Sequence, residues 1–261
     1  MTSSQRQKKN VIIAGCIALI LFVCYIFLRD ISFKTEWEFD SFNGGYRVVS
    51  YKQSIFDGTK ELLIPSEYNG KPVLAIGEKA FSENKKIKKV VIPDTVETID
   101  SAAFKKCSNL EEVLFGQKLV YIGGACFQDC KSLKEVVIPD SVAEIRGEVF
   151  KGCSSLENAV LPKNITEIRG NSFENCTSLK SIEIPKGVTR IAAHSFRNCS
   201  SLSYVFVPDS VNEIGSSAFR NCDSLEEITL PEYVYVNERA FKESPTEITY
   251  KEITYKGMYG E

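Results

Sequence analysis

The sequence predicts an α/β repeat solenoid, in which a short strand, a turn and a short helical return recur along the chain. The first observation is a 23-residue unit, seen in full over residues 133–155, that recurs with almost no change in length. The second is that columns of like residues keep the same spacing. A fixed period of a few tens of residues is typical of proteins whose units stack on one another. The apolar residue that opens each unit stands at Ile87, Leu110, Leu133, Leu156, Leu179, Leu202 and Leu225.

The first part of each unit predicts a short strand. Within residues 133–139, Val136 and Ile138 alternate with residues that point to the opposite face. Pro139 ends the strand, because proline has no N–H group to continue a hydrogen-bonded ladder. Gly116 takes the place of this proline in one unit. The other units end their strands at Pro93, Pro162, Pro185, Pro208 and Pro231.

The second part of each unit predicts a turn and a short helical return. Val142, Ile145, Phe150 and Cys153 follow the proline at spacings of three to five residues, which favours a helical return over a second strand. Two of these positions form columns that we expect to build the core. The Ile column comprises Ile76, Ile99, Ile122, Ile145, Ile168, Ile191 and Ile214. The Phe column comprises Phe81, Phe104, Phe127, Phe150, Phe173, Phe196, Phe219 and Phe241.

The combined pattern L-x-x-V-x-I-P-x-x-V-x-x-I-x-x-x-A-F-x-x-C resembles the BspA-type leucine-rich repeat over roughly residues 60–245. This family comprises surface proteins of bacteria and protists, so the resemblance implies a surface location and adhesion, often to host matrix proteins or to other cells. Fold alone does not fix function. The pattern lacks the asparagine ladder of the commoner leucine-rich repeat, and the hydrogen bonds of that ladder are therefore not expected.

The N-terminal residues predict a single membrane-spanning signal-anchor. Residues 11–28 are 18 uninterrupted apolar or small residues, enough for about 27 Å of helix. Residues 1–10 carry Arg6, Lys8 and Lys9 and form a basic tail. Basic residues favour the cytoplasmic side, so this tail is predicted inside the cell and the repeats outside it.

Two alternatives to the anchor remain open. A cleaved signal peptide would end in small residues, whereas residues 27–30 read Phe-Leu-Arg-Asp. Residues 13–16 resemble a bacterial lipobox, which would attach a lipid to Cys16. The apolar run continues well past that cysteine, which favours the uncleaved anchor.

The segments that flank the repeats predict caps. Residues 31–61 form two alternating stretches around the turn signal at residues 43–45, and they predict a β-hairpin N-terminal cap. The 23-residue units occupy residues 62–245. Residues 246–261 contain the sequence EITYK twice and predict a C-terminal cap strand. Caps are expected because an uncovered terminal unit would expose both core and strand edge.

The cysteines predict buried thiols rather than disulfides. Six of them form one column, in which parallel side chains give poor disulfide geometry. A redox pair of Cys126 and Cys130 is disfavoured because both stand at core positions. No cysteine pair has C-x-x-C spacing, so no metal site is predicted. The column comprises Cys107, Cys130, Cys153, Cys176, Cys199 and Cys222.

Composition and motifs disfavour catalysis and nucleic-acid binding. Of 261 residues, 32 are Lys or Arg and 34 are Asp or Glu, a net charge of −2 that gives no reason to expect nucleic acid. The one histidine, His194, stands at a position that is alanine, serine or glutamate in other units, and we expect it to face solvent. No catalytic triad, phosphate-binding glycine loop or HExxH motif is present. We predict neither an enzyme nor a cofactor.

The outward-facing strand positions are the candidate binding surface. The third position of each strand reads Lys89, Glu112, Glu135, Asn158, Ser181, Tyr204 and Glu227, and the fifth reads Val91, Leu114, Val137, Val160, Glu183, Phe206 and Thr229. Exposed valines are also ordinary residues of a sheet. Two large aromatic residues side by side more strongly indicate a partner. The predicted partner-binding residues are Tyr204, Phe206, Val160, Val137 and Leu114.

These features predict a membrane-anchored, surface-exposed recognition protein that binds a protein or glycan ligand outside the cell without catalysis. The alternative is a structural or assembly subunit of a cell-envelope complex, in which the same apolar ridge packs on another subunit. If the protein is an adhesin, Tyr204 and Phe206 should be important for binding of an external ligand. If it is an assembly subunit, it should co-purify with a membrane partner.

Overall fold

A computed structural model describes residues 36–52 and 60–251. The described residues belong to two compact units. Glu36, Trp37, Tyr51 and Lys52 belong to one unit, in which the ring centroids of Trp37 and Tyr51 lie 4.6 Å apart. Residues 38–50 and 60–251 belong to the other, which contains the repeats.

The predicted basic tail (1–10) and membrane anchor (11–28) lie outside the described residues. Among the residues that are described, no helix has the length and apolar character to cross a membrane.

The predicted strand of each unit forms a row of parallel strands, the first ladder, in which hydrogen-bonded pairing is interrupted after the third, fifth and seventh strands. Paired strands within the repeats match residues that are 23 apart, as in Glu135 with Asn158. The spacing changes at the two ends, where Glu61 pairs with Lys89 and Glu227 with Glu247. The middle residue of each strand points into the core, and Val136 is buried. The strands of the first ladder are β3 (Glu61–Leu63), β6 (Lys89–Val91), β8 (Glu112–Leu114), β10 (Glu135–Val137), β12 (Asn158–Val160), β14 (Ser181–Glu183), β16 (Tyr204–Phe206), β18 (Glu227–Leu230) and β20 (Glu247–Tyr250).

The Ile column forms a second row of parallel strands, the second ladder, which the sequence did not predict and in which hydrogen-bonded pairing is interrupted after the fourth strand. Ile99 pairs in register with Ile76 on one side and with Ile122 on the other. Each coil of the solenoid thus carries two strands. The strands of the second ladder are β5 (Lys71–Ile76), β7 (Thr98–Ile99), β9 (Tyr121–Ile122), β11 (Glu144–Ile145), β13 (Glu167–Ile168), β15 (Arg190–Ile191), β17 (Glu213–Ile214) and β19 (Tyr235–Val236).

The predicted helical returns are wrong, because the structure contains no helix within residues 36–52 and 60–251. The return is the stretch from the end of each second-ladder strand to the next unit. In the return after β11, Glu148 and Gly152 have φ angles of 62° and 74°, which interrupt a right-handed helix. The amides of residues 148, 150 and 152 donate to carbonyls of the following coil. These amides are therefore not available for helical i to i−4 bonds.

The first described strands precede the repeats. β1 (Glu36–Phe42) and β2 (Gly45–Lys52) are neighbours in one sheet and are joined at Asn43 and Gly44, which both have positive φ. β2 continues into the second ladder by parallel pairing with β5. β4 (Glu67–Tyr68) forms a short antiparallel pair with the start of β5. At the other end β20 pairs with β18, and residues 252–261, with the second EITYK copy, lie outside the described residues.

The Phe column forms a continuous stack of rings along the core. Neighbouring ring centroids lie between 4.9 Å apart, for Phe81 and Phe104, and 5.7 Å apart, for Phe127 and Phe150. Seven members of this column are fully buried, and the last, Phe241, is half-buried. The Ile column is buried as well. Both predicted core columns are confirmed.

A short asparagine ladder is present at a column where the sequence did not predict one. The Nδ2 of Asn198 donates to the Oδ1 of Asn175 at 2.7 Å, and the Nδ2 of Asn221 donates to the Oδ1 of Asn198 at 2.8 Å. These residues immediately precede cysteines of the Cys column and have positive φ. This ladder therefore stands at a different position from the asparagine ladder of the commoner leucine-rich repeat, which the sequence lacks.

Candidate binding surface

The outward-facing residues of the first ladder form one surface, which we call the strand face. It comprises the third and fifth positions of the successive strands, and these side chains are exposed or half-exposed. Alternation along each strand explains their direction, since the residue between them is committed to the core. The predicted outward orientation of both columns is confirmed.

Tyr204 and Phe206 stand side by side on β16. Their exposed fractions are 55% and 37%, which are high for aromatic side chains in a folded protein. The ammonium of Lys251 lies 5.7 Å from the centroid of the Phe206 ring. It is held there by hydrogen bonds to the carbonyl of Val207, at 3.0 Å, and to the carboxylate of Asp209.

The other predicted partner-binding residues, Leu114, Val137 and Val160, are also exposed. Each stands at the fifth position of its strand, and Val137 and Val160 are paired in register. Together with Leu63 and Phe206 they give the strand face an apolar row. The row is interrupted at Glu183, which stands between Val160 and Phe206 at the same position of β14.

Charged residues on the first coils of the strand face form ion pairs with one another. The ammonium of Lys89 lies 3.7 Å from a carboxylate oxygen of Glu61 and 3.2 Å from one of Glu112. The pKa of Lys89 is raised, mainly by its side-chain hydrogen bond to Glu112. Coulombic attraction to Glu112 and Glu61 also favours the charged lysine. This ion-pair network spans three adjacent strands and supports their register.

The Cys column contains free, buried thiols. Each thiol donates to the carbonyl of the phenylalanine 26 residues earlier, as Cys107 does to Phe81 at 3.1 Å. Burial raises the pKa of Cys107 to about 12. Cys126, predicted to be a poor redox residue, is fully buried, and burial raises its pKa as well. For the cysteines of the described residues, the prediction of buried thiols without disulfides is confirmed.

His194 lies in a return, is half-buried, and has a φ angle of 59°. Its position repeats that of Glu148 and Asn171, which also have positive φ. The column therefore has a shared backbone conformation, and His194 occupies a backbone position that recurs in the other returns. The His194 side chain, expected to face solvent, is only partly exposed.

Sequence reasoning did not single out Glu183 or Lys251. Glu183 had a visible signal, since it is the one charged residue in the fifth-position column from Val91 to Thr229. Lys251 had none, because its contact with Phe206 joins residues that lie outside the repeat period. Long-range contacts of this kind appear only when the coils are stacked.

Stacked coils with parallel strands and aligned apolar columns define a leucine-rich-repeat solenoid. The profile of the BspA type leucine rich repeat region matches the sequence in six copies, over residues 28–157, 74–202 and 143–256. The chain therefore belongs to the BspA-type leucine-rich-repeat family. A comparison with curated proteins finds no match.

Solved structures show the same fold. The T. pallidum leucine-rich repeat protein is 27% identical, with a TM-score of 0.65, and the match covers 73% of this chain and 87% of that protein. A leucine-rich repeat protein from Bacteroides ovatus is also 27% identical, with a TM-score of 0.58 over 77% of this chain. This chain spans 59% of the length of the B. ovatus protein. A leucine-rich repeat protein from Eubacterium ventriosum, 20% identical with a TM-score of 0.52, shares the fold.

Proposed function

We propose that this chain is a surface-exposed recognition protein that binds a protein or glycan ligand outside the cell through its strand face. The observation that carries the proposal is the pair of exposed aromatic residues Tyr204 and Phe206 on β16. Exposed tyrosine and phenylalanine side chains offer large contact areas and often anchor a partner. Leucine-rich-repeat solenoids are typical binding scaffolds, which agrees with a role in interaction.

The apolar row extends the proposed contact area along several coils. Leu114, Val137 and Val160 are each exposed and lie on the same side of the sheet as Phe206. A ligand that covers them would remove apolar surface from water, at a gain of roughly 25 cal/mol per Å². Tyr204 and Phe206 therefore act as anchors for the ligand, and the apolar row adds contact surface.

We also propose that the N-terminal residues anchor the chain in the cell membrane. Residues 11–28 are long and apolar enough in sequence to span a membrane, and residues 1–10 are basic. This arrangement would hold the chain at the cell membrane, with the repeats outside. Adhesion is the activity that such a placement supports.

The test is binding of the full-length protein to a panel of matrix proteins and surface glycans. It is made with protein purified in detergent and with intact cells that produce the chain. We expect saturable binding in both forms, and loss of most of it when Tyr204→Ser and Phe206→Ser are combined. The double variant removes two apolar anchors while leaving the inward-facing Val205 in place.

A matched control combines Tyr233→Ser with Tyr235→Ser. These tyrosines are also exposed and two residues apart, but they lie outside the strand face. The control should bind like the unmodified protein. Binding by the purified protein but not by intact cells would overturn the external placement. A panel that binds nothing would favour an assembly subunit over an external receptor.

A further inference from the structure

A groove crosses the strand face between Val160 and Phe206, with a volume of about 730 Å³. Its floor is formed in part by β14, whose outward-facing residues are Ser181 and Glu183. In strand register Ser181 pairs with Tyr204 and Glu183 with Phe206.

Glu183 places an unpaired carboxylate in this groove. The side chain is exposed and makes no hydrogen bond or ion pair with any other residue in the described part of the chain. Two lysines line the groove as well. Lys163 is paired with Asp140, with Nζ and Oδ2 2.7 Å apart, and Lys186 forms no ion pair with Glu183. The Glu183 carboxylate is therefore available to an incoming cation.

The Phe206 ring already has a cation beside it on this protein. Lys251 holds its ammonium 5.7 Å from the ring centroid while it contacts the carboxylate of Asp209. A cation within about 6 Å of an aromatic centroid is attracted by the electrons of the ring. Glu183, the register partner of Phe206, offers a similar combination of carboxylate and aromatic ring to a cation from outside.

We infer that this groove binds a lysine or arginine side chain from an extended segment of a partner protein, with the cation between the Glu183 carboxylate and the Phe206 ring. The inference rests on the proposed recognition function and specifies its ligand. Charge complementarity supports this occupant. At the outward strand positions of the described coils, the unpaired charges are the carboxylates of Glu135, Glu183, Glu227 and Glu247, whereas Lys89 is already paired. In the lining of the groove, the unpaired carboxylates of Glu135 and Glu183 outnumber the one unpaired ammonium, that of Lys186.

The test measures binding of the full-length protein to short acetylated, amidated peptides. They share one sequence of apolar and serine residues and differ at the central position, which is arginine, lysine, citrulline or glutamate. Citrulline has nearly the shape of arginine but no charge. We expect the arginine and lysine peptides to bind, and the citrulline peptide to bind roughly tenfold more weakly, as the loss of one charge-assisted contact implies.

Glu183→Gln should weaken binding of the arginine peptide to the level of the citrulline peptide. Glu227→Gln is the matched control, because it removes an unpaired carboxylate from the same face outside the groove, and it should leave that difference intact. Equal binding of the arginine and citrulline peptides would overturn the inference. So would an unchanged affinity in the Glu183→Gln variant, or no binding of any peptide.

The panel of matrix proteins and glycans tests the broader function separately. If binding of a panel ligand is lost in the Tyr204 and Phe206 double variant but is unchanged in the Glu183→Gln variant, the strand face is a recognition surface and the proposed cation site is wrong. If that ligand is a neutral glycan, the groove is assigned to carbohydrate instead. If no panel ligand and no peptide binds, both proposals fail.

Discussion

At the scale of the residue, each thiol of the Cys column lies over a buried carbonyl oxygen. The Sγ of Cys153 donates to the carbonyl of Phe127 at 3.1 Å, and the same carbonyl accepts the amide of Cys130. Ser244 takes the column position in the last coil and donates its hydroxyl to the carbonyl of Phe219 at 2.6 Å. The column thus requires a small side chain that can donate a hydrogen bond, which both cysteine and serine satisfy.

The buried thiols make stability depend on pH in the alkaline range. Burial raises the pKa of Cys107 from an ordinary value of 9.0 to about 12. The folded protein keeps this proton at pH values where the unfolded chain loses it. The stabilising contribution is therefore complete below about pH 9 and is lost as the pH rises from 9 towards 12.

We expect Cys107→Ser to weaken this dependence, because serine does not titrate and can replace the thiol as donor. Urea unfolding at pH 7.5 and pH 10 measures the effect. Between these pH values the free energy of unfolding should fall by about 1 kcal/mol less in the variant than in the unmodified protein. Identical losses in the two proteins would show that Cys107 is ionised in the folded state.

At the scale of the element, the returns are held by bonds between coils. The amide of Phe104 donates to the carbonyl of Cys126 at 2.9 Å, and that of Lys106 donates to the carbonyl of Gln128 at 2.7 Å. Positive φ at Ala102 and Lys106 aims these groups at the next coil. The apolar spacing of the return resembles that of a helix, but the hydrogen bonds that would form one are used between coils.

Gly116 provides a sharp test of how closely coils approach one another. It replaces the proline of the other units, and a Cβ atom there would lie 2.4 Å from the carbonyl oxygen of Pro93 in the preceding coil. That oxygen is held in place, since it accepts the amide of Val96 at 3.1 Å. We expect Gly116→Pro to lower the free energy of unfolding by about 1–3 kcal/mol, although it restores the residue of the column.

Urea unfolding measures this effect, with Gly124→Ala as the control. A Cβ atom at Gly124 would make an ordinary contact, 3.4 Å from the carbonyl oxygen of Gly147, and its effect should be within about 0.5 kcal/mol. If Gly116→Pro were as stable as the unmodified protein, the two coils would be able to move apart at little cost. That outcome would contradict close packing at this position.

At the scale of the whole molecule, ion pairs between adjacent coils accompany the apolar stack. The carboxylate of Glu174, nearly buried, lies 2.8 Å from the ammonium of Lys151 in the preceding coil and 3.9 Å from the guanidinium of Arg197 in the following coil. The hydrogen bond between the side chains of Lys151 and Glu174 is the main cause of the raised pKa of Lys151. Ion pairs of this kind join adjacent coils, whereas the pair of Lys251 with Asp209 spans two coils. Because contacts between adjacent coils dominate, stability is approximately a sum over coils and their interfaces.

Position within the stack should therefore decide the cost of a core truncation. Phe150 is fully buried between the rings of Phe127 and Phe173, whereas the half-buried Phe241 stacks on Phe219. We expect Phe150→Ala to lower the free energy of unfolding by about 3–5 kcal/mol. Phe241→Ala should lower it by less than half as much. Urea unfolding followed by circular dichroism compares the two variants, and equal losses would contradict independent coils.

The candidate binding surface could be predicted in part from the sequence. Alternation within each strand placed Tyr204, Phe206 and Val160 on one outward face, and the structure shows them there. The groove at Glu183 could not be derived in the same way. It depends on the side chains of four neighbouring strands, which the sequence separates from one another by a full repeat.

The sequence by itself determined the repeat length, the two core columns and the outward direction of the strand residues. These features follow from a strict period and from local alternation, and stacking preserves both. The tertiary structure decided that the returns are not helices, that the Ile column is a second ladder, and that Lys251 lies beside Phe206. Each of these depends on which group a backbone amide or a side chain meets in another coil, and no local pattern specifies that partner.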